Sequence, residues 1–334
     1  MKREDYLKNP DKFVYPFEIE EKNKTRTIIT YKKNINGDML RKFHEQLLVE
    51  LENNFKSSNL SFAYKKGYCT KDAVEKHLKS NLFIKLDISS FFESISFEKF
   101  KDKIKPTNFD IKSLECCFYK DNLSLGFVTS PKISDMYLHN LDTQIEEKIN
   151  HIVKKDTSSK KGLIYSRYCD DILISSYGFE DFGKLYYLKD FIIEKLKEDF
   201  DLEINKKKEK EFNFISMKNT SVTFLGLSIV RNKDNNKNYI TVSKHFILET
   251  LDLVSRYKNK KEELSKIEKL LSDAPNDEKM IKKKKNLVYI LQKFYSVINS
   301  RISYIKFNSN VSFEKFKKKY KNKFNIEWKE YGYY

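Results

Sequence analysis

Glycine and proline are scarce in this chain, at 8 and 5 of 334 residues, and cysteine is scarcer still at 4. The cysteines, Cys69, Cys116, Cys117 and Cys169, lack the paired spacing of a zinc site and offer no disulfide framework. No apolar run reaches the length of a membrane span. The charged start Met1-Lys2-Arg3-Glu4-Asp5 is not a signal peptide, so a cytoplasmic protein with no membrane partner is expected. The shortage of Gly and Pro accompanies an excess of Lys, a pairing that biased codon supply also produces, so it names no function by itself.

What is abundant points toward nucleic acid. Lys and Arg number 65 against 48 Asp and Glu, a net charge of +17 that attracts a phosphate backbone. The 21 Tyr and 26 Phe can stack on bases where cations interleave with them, although most belong to the core. A chain of 334 residues can bury a full core and form more than one lobe.

The most informative stretch is Tyr168-Cys169-Asp170-Asp171, set between apolar segments 163–165 and 172–175. That pattern predicts a hairpin with two adjacent carboxylates at its tip, since Asp tolerates turn backbone well. Adjacent acids in a turn are also common on solvated surfaces, so a third carboxylate matters. Leu82, Ile84, Leu86 and Ile88 alternate with Phe83, Lys85 and Asp87, which predicts a strand with its apolar face inward and Asp87 on the opposite face. Asp87 lies 83 positions before Asp170, far enough for intervening helices to return the chain and set the two strands side by side. Three carboxylates meeting in a partly dry cleft repel one another unless a cation intervenes. Mg2+ takes hard oxygen ligands and substrate phosphates, and two such ions stabilise the attacking and leaving oxygens of displacement at phosphorus.

On these residues the chain resembles a small bacterial reverse transcriptase. Asp87 to Ile95 is similar to the first catalytic motif of that family, Asp-Ile-x-x-Phe-Phe-x-x-Ile, and Tyr168 to Asp171 to its Tyr-x-Asp-Asp box. Between them Gly126-Phe127-Val128-Thr129-Ser130-Pro131 resembles Gly-x-x-x-Ser-Pro, followed by Ile133, Tyr137, Leu138, Leu141 and Asp142 in the family's helical pattern. Leu202 to Lys208 resembles the Leu-x-x-Asn-x-x-Lys segment, Phe224-Leu225-Gly226-Leu227 the primer-grip strand, and Phe62 to Gly67 the fingers motif. The similarity runs over about residues 24 to 330.

The resemblance implies an α+β right-hand polymerase with fingers, a palm built on a small antiparallel sheet, and a helical thumb. Fingers are expected over 1–80 with part of 101–124, palm over 81–243, and thumb over 244–334. It implies catalytic Asp87, Asp170, Asp171 and Lys208, with two Mg2+ ions on Asp87, the Ile88 carbonyl, Asp170 and Asp171. Arg26, Lys65, Phe92, Gly126 and Tyr168 would hold the nucleotide, and Phe224, Leu225 and Gly226 the primer. Lys208 stands where relatives hold a lysine that can protonate pyrophosphate, although Lys206, Lys207 and Lys210 lie close by. Lys24 and Lys66 are further fingers cations beside Arg26 and Lys65. Phe92 would exclude a ribose 2′-hydroxyl, where RNA-copying RNA polymerases carry an acid; read from the residues alone it is equally a core aromatic. The implied partners are an RNA template, a dedicated non-coding RNA, the DNA product and dNTPs, with a defence-system protein or a second copy of the chain as further candidates.

Within the family, the resemblance implies a bare polymerase of an anti-phage system as the expected branch. Many relatives have Gln before the motif glycine; here Leu125 is more like abortive-infection branches, which implies template-independent or protein-primed synthesis as an alternative. The terminal Tyr331-Gly332-Tyr333-Tyr334 carries hydroxyls that could prime, or is a frayed or docked end. Arg301 to Lys306 resembles the thumb segment of retron and other bacterial enzymes, yet the retron-type Val-Thr-Gly is absent where Leu227 to Arg231 stands. An RNA-binding scaffold or phage sensor with a vestigial site is the alternative of another class. Such a site would have lost an acid, and here none is missing.

Helices are expected over 39–51 and 71–78 and, beyond Ser243, over 246–257, 261–271 and 280–305, with Ala274-Pro275-Asn276-Asp277 as a break. A hairpin with its polar turn at 232–238 should close the palm, and Ser130-Pro131 reads as a helix N-cap followed by proline at the first helical position.

Overall fold

A computed structural model of the chain describes residues 3–21, 24–104, 110–154, 161–217, 219–325 and 328. The chain divides into two compact units, Met1–Thr220 and Ser221–Tyr334.

The first unit runs α1 (Arg3–Lys8), β1 (Val14–Glu21), β2 (Lys24–Tyr31), α2 (Ile35–Asn54), α3 (Thr70–Glu75), β3 (Leu82–Asp87), α4 (Phe97–Lys103), β4 (Phe118–Tyr119), β5 (Asn122–Leu123), α5 (Ser130–Tyr137), α6 (His139–Lys154), β6 (Gly162–Tyr168), β7 (Asp171–Tyr177), α7 (Gly183–Phe200) and β8 (Lys210–Asn213). Its main sheet has the order β6-β7-β3-β8, every neighbouring pair antiparallel. Leu82, Ile84 and Leu86 of β3 are fully buried with Ile133, Leu141 and Ile145 of α5 and α6 and Leu188, Ile192 and Leu196 of α7. Each such side chain contributes roughly 1.5–3 kcal/mol by leaving water. The helices therefore cover one face of the sheet.

The other face of β3 is less open than alternation predicts. Phe83, on the side of Lys85 and Asp87, is fully buried against Phe214, their ring centroids 4.8 Å apart. Phe214 lies just beyond β8, so the cover comes from a segment whose pairing with β3 no local pattern reveals. The expected α5 cap also shifts by one residue: Thr129 is the N-cap, and Ser130 is already helical, donating its hydroxyl to the Ser124 carbonyl at 2.6 Å. Beyond β6, the segment from Leu60 to Phe62 runs parallel to the strand. Arg167 N–H donates to the Leu60 carbonyl and Phe62 N–H to the Arg167 carbonyl, both at 2.9 Å.

The second unit holds a three-stranded antiparallel sheet, β9 (Ser221–Phe224), β10 (Leu227–Arg231) and β11 (Asn238–Val242), in the order β11-β10-β9. Three helices follow, α8 (Lys244–Asp273), α9 (Glu278–Asn308) and α10 (Asn310–Phe324). The segments expected separately over 246–257 and 261–271 are one continuous α8, because nothing between them breaks a helix; Lys258, Asn259 and Lys260 are polar but helix-compatible. The helix α10 was not anticipated. Its six lysines obscure an apolar row of Phe313, Phe316, Tyr320 and Phe324, of which Phe316 and Tyr320 are buried.

Candidate active site

Two strand ends bring the acids together. Asp87 closes β3 and Asp171 opens β7, and the two are direct cross-strand partners. Tyr168 faces Asp171 from β6, so Cys169 and Asp170 form a two-residue hairpin loop. Cys169, not an aspartate, takes the left-handed conformation there, φ +59°, in the position that glycine favours in a II′ turn. The Asp170 carbonyl accepts the Ile88 N–H at 3.0 Å, binding the turn to the chain just past Asp87. A third segment is bound to the same end: Ser89 N–H donates to the Glu203 carbonyl at 2.8 Å and Asn205 N–H to the Asp87 carbonyl at 2.8 Å. These bonds place Lys208, whose ammonium donates to Asp87 Oδ1 at 2.7 Å.

Asp87 is 6% exposed, and a carboxylate that dry needs a counter-charge. Lysines supply it. Lys208 pairs with Asp87, and Lys85 pairs with Asp171 at 3.1 Å. Asp170, in the turn that joins β6 to β7, has its carboxyl pushed above the usual carboxylate range. Burial is the main cause; the charges of Asp171 and Asp87 add to it and Lys208 opposes it.

Among the described residues no group of three or more His, Cys, Asp or Glu side chains stands close enough to hold a metal ion by itself. The donor chemistry nonetheless fits a hard divalent cation, because carboxylates drawn to one edge against their mutual repulsion require positive charge. Mg2+ also completes its shell with waters and substrate phosphates rather than an all-protein cage. The two lysine ammonium groups stand where such charge is needed.

The remaining expected residues are distributed over both units. Ile88 is buried, with its N–H committed to Asp170. Tyr168 has its ring centroid 6.2 Å from that of Tyr64. Phe92 is buried in the core cluster, edge-on to Phe91 at 5.5 Å. Lys65 donates to the Ser58 carbonyl at 3.3 Å and lies over the Tyr68 ring; Lys66 pairs with Glu52. Arg26 is exposed on β2, opposite Ile19 of β1.

Gly126 has φ +108°, and a Cβ there would sit 2.4 Å from the Ile29 carbonyl oxygen, so only glycine lets this loop close on β2. Ile29 N–H donates to the Leu125 carbonyl at 2.7 Å. Tyr31 hydroxyl accepts the Val128 N–H and bonds His44 Nδ1 at 2.8 Å, and His44 Nε2 meets the Cys116 carbonyl at 2.9 Å. A carbonyl only accepts, so Nε2 carries the proton and the tyrosine hydroxyl donates to Nδ1.

Phe224, Leu225 and Gly226 form the β9–β10 turn of the second unit, with φ +54° at Leu225 and +78° at Gly226. Lys24 has no described side chain, and the tail Tyr331 to Tyr334 lies outside the described residues.

Sequence reasoning missed Lys85 and the buried residues Arg167 and Asp135. Lys85 was within reach, since period two puts it on the face of Asp87. Arg167 carried a weaker signal: a charge inside an apolar strand.

Residues 19–229 match the family model described as reverse transcriptase (RNA-dependent DNA polymerase). The chain belongs to the reverse transcriptase family. All the candidate acids fall inside the match, and the fold class is accordingly the α+β of right-hand polymerases. Among curated proteins this reverse transcriptase is 29% identical to the retron Ec73 reverse transcriptase of Escherichia coli over 189 residues, 51% of this chain and 55% of the relative. It is 26% identical to the retron Ec86 reverse transcriptase of the same organism over 156 residues, 46% of this chain and 45% of the relative. The chain thus spans about half the length of the curated relatives it matches. Among solved structures, apo telomerase from Candida tropicalis aligns with a TM-score of 0.48 at 14% identity, over 91% of this chain and 60% of that one. None of the described helices is long and apolar enough to cross a membrane.

Proposed function

We propose that this reverse transcriptase is an RNA-directed DNA polymerase that uses two Mg2+ ions. The observation that carries the reading is the cross-strand pairing of Asp87 with Asp171 beside the Asp170 turn, within the family match. Asp87, Asp170, Asp171 and the Ile88 carbonyl would hold the ions. Mg2+ ions, when bound, supply Lewis-acid charge for the attacking 3′-oxygen and the leaving pyrophosphate. Lys208, already hydrogen-bonded to Asp87, would donate a proton to the leaving pyrophosphate. Arg26 and Lys65 grip the triphosphate; Gly126 and Tyr168 border the base and sugar. Phe92 bars a 2′-hydroxyl, selecting dNTPs. Phe224, Leu225 and Gly226 hold the primer strand. In this reading fingers, palm and thumb occupy 1–80 with part of 101–124, 81–243 and 244–334. In this reading the template is part of a dedicated non-coding RNA and, by the abortive-infection resemblance, the setting is a cytoplasmic anti-phage system, with a partner protein or a second copy of the chain.

Leu125 favours a second reading, template-independent or protein-primed synthesis, because an apolar side chain replaces a hydrogen-bonding one before Gly126. The experiment supplies primed RNA, dNTPs and Mg2+ to the purified chain and sequences the product. Complementary DNA that disappears with chelator or with Asp170→Asn supports templated copying. Product unrelated to the RNA supports the second reading. Undiminished synthesis by Asp87→Asn/Asp170→Asn would falsify both, and catalytic variants that still protect cells would favour a binding scaffold.

A further inference from the structure

Arg167 heads the fully buried side chains by size, at 1% exposure, and it immediately precedes the catalytic turn. Its guanidinium forks onto Asp142 of α6, Nε to Oδ1 at 3.0 Å and a terminal nitrogen to Oδ2 at 2.6 Å. The same terminal nitrogen reaches Asp135 Oδ1 of α5 at 3.0 Å. Tyr165 hydroxyl donates to Asp142 at 3.2 Å, and Ser61 hydroxyl to Asp135 at 2.6 Å. Asp135 and Asp142 are themselves buried. Burial alone would push Asp135 up, but the Arg167 charge and the hydrogen bonds from Ser57, Ser61 and Arg167 hold it below the usual carboxylate range, so it stays ionised.

Stability does not explain this cluster. A buried ion group is weak evidence for stability, since apolar residues of equal volume often serve as well or better. What a rigid fork adds is direction. The Arg167 main chain is bracketed by the Leu60 carbonyl and the Phe62 N–H, while its side chain reaches Ser61 through Asp135. One residue thus locks the segment carrying Tyr64 and Lys65 in register with the strand that ends at Tyr168. The contact between the Tyr64 and Tyr168 rings follows directly, Tyr168 being the residue after Arg167 and Tyr64 lying in the same segment as Ser61.

We propose that Arg167, through Asp135 and Asp142, is a positioning residue: it joins the segment bearing Lys65 to the catalytic turn and so sets the phosphate grip relative to Asp170 and Asp171. The inference rests on the polymerase reading. Arg167→Lys keeps the charge but cannot fork onto two carboxylates. Arg167→Met with Asp135→Asn and Asp142→Asn removes all buried charge at similar volume and guards against simple unfolding.

Each full-length variant is measured for thermal midpoint, for kcat and KM in single-nucleotide incorporation on primed RNA, and for hydrogen exchange. The charge-free variant should keep its midpoint yet lose about 10- to 100-fold in kcat, the scale of an ångström-sized misplacement. Exchange should quicken at Phe62 and Arg167 but not in β3. Wild-type kcat and wild-type exchange in that folded variant would overturn the proposal, as would a kcat loss in Arg167→Lys that only tracks its unfolded fraction. An inert wild-type chain would overturn the polymerase reading instead, and exchange at 60–62 would still decide whether Arg167 makes the joint.

Discussion

Of the residues other than glycine that take a positive φ, Leu225 and Cys169 lie at expected site turns, in backbone positions that ordinarily go to glycine or asparagine. Leu225, at φ +54° in a two-residue turn with Gly226, crowds its own Cβ against the following carbonyl oxygen, at a cost of roughly 1–2 kcal/mol. Leu225→Asn should therefore raise stability by about 1 kcal/mol, read as a higher urea midpoint, while primer extension weakens if the leucine contacts the primer. An unchanged midpoint would show that the turn is relaxed. Cys169 is the parallel case beside the acids. Neither conformation could be read from the chain, because cysteine and leucine signal no turn. The Tyr-Cys-Asp-Asp stretch was recognisable as a hairpin by its flanks, yet the Asp residues seemed the natural bearers of the tight geometry. The adjacency of Asp87 and Asp171 was legible because each acid stands at the end of an apolar strand and the chain between them is long enough to return and set the two strands side by side. Arg167 was harder, since a lone cation in a strand has no meaning until its partners, 25 and 32 positions away, are folded against it.

At the scale of elements, periodicity identified strands and helices, while their ends depended on caps. α9 is N-capped by Asp277, whose carboxylate accepts the Met280 N–H at 3.0 Å. Asp277→Ala should destabilise the second unit by about 1 kcal/mol, measured by urea titration followed by far-UV circular dichroism. Asp277→Ser should restore most of it. The expected break over Ala274 to Asp277 was correct because proline ends a helix through its own covalent geometry. The supposed break before Lys261 was a change of polarity only, and polarity does not stop hydrogen bonding along a helix. α10 escaped notice for the converse reason: charge is what a solvated helix face should carry, and the apolar row beneath it is sparse.

Over the whole molecule, two buried histidines make stability depend on pH. Burial lowers His77 to about 3, with Lys76 adding to the effect, and lowers His44 to about 4 against the pull of the Cys116 carbonyl. The unfolded chain binds these protons near the ordinary 6.5. Between 6.5 and the depressed values it therefore holds more protons than the folded chain, so stability is complete above that range and is lost as pH falls. By pH 5 the two groups together should cost on the order of 4 kcal/mol. The thermal midpoint should drop steadily from pH 7 to 5, and His44→Gln/His77→Gln should flatten that slope. A midpoint level over this range in the wild-type chain would contradict the neutral burial of both rings.

The Leu60 to Phe62 segment alongside β6 has a further consequence for how the protein behaves in concentrated solution. It covers the Arg167 end of one rim of the four-stranded sheet with main chain, and the opposite rim, β8, is four residues long and carries Lys210 and Glu211. The main chain at Arg167 and the charges and shortness of β8 both work against edge-to-edge pairing with a neighbouring molecule. Native stocks should accordingly resist thioflavin-positive fibre growth through this sheet, whereas changes that peel Leu60 to Phe62 away would uncover a template for it.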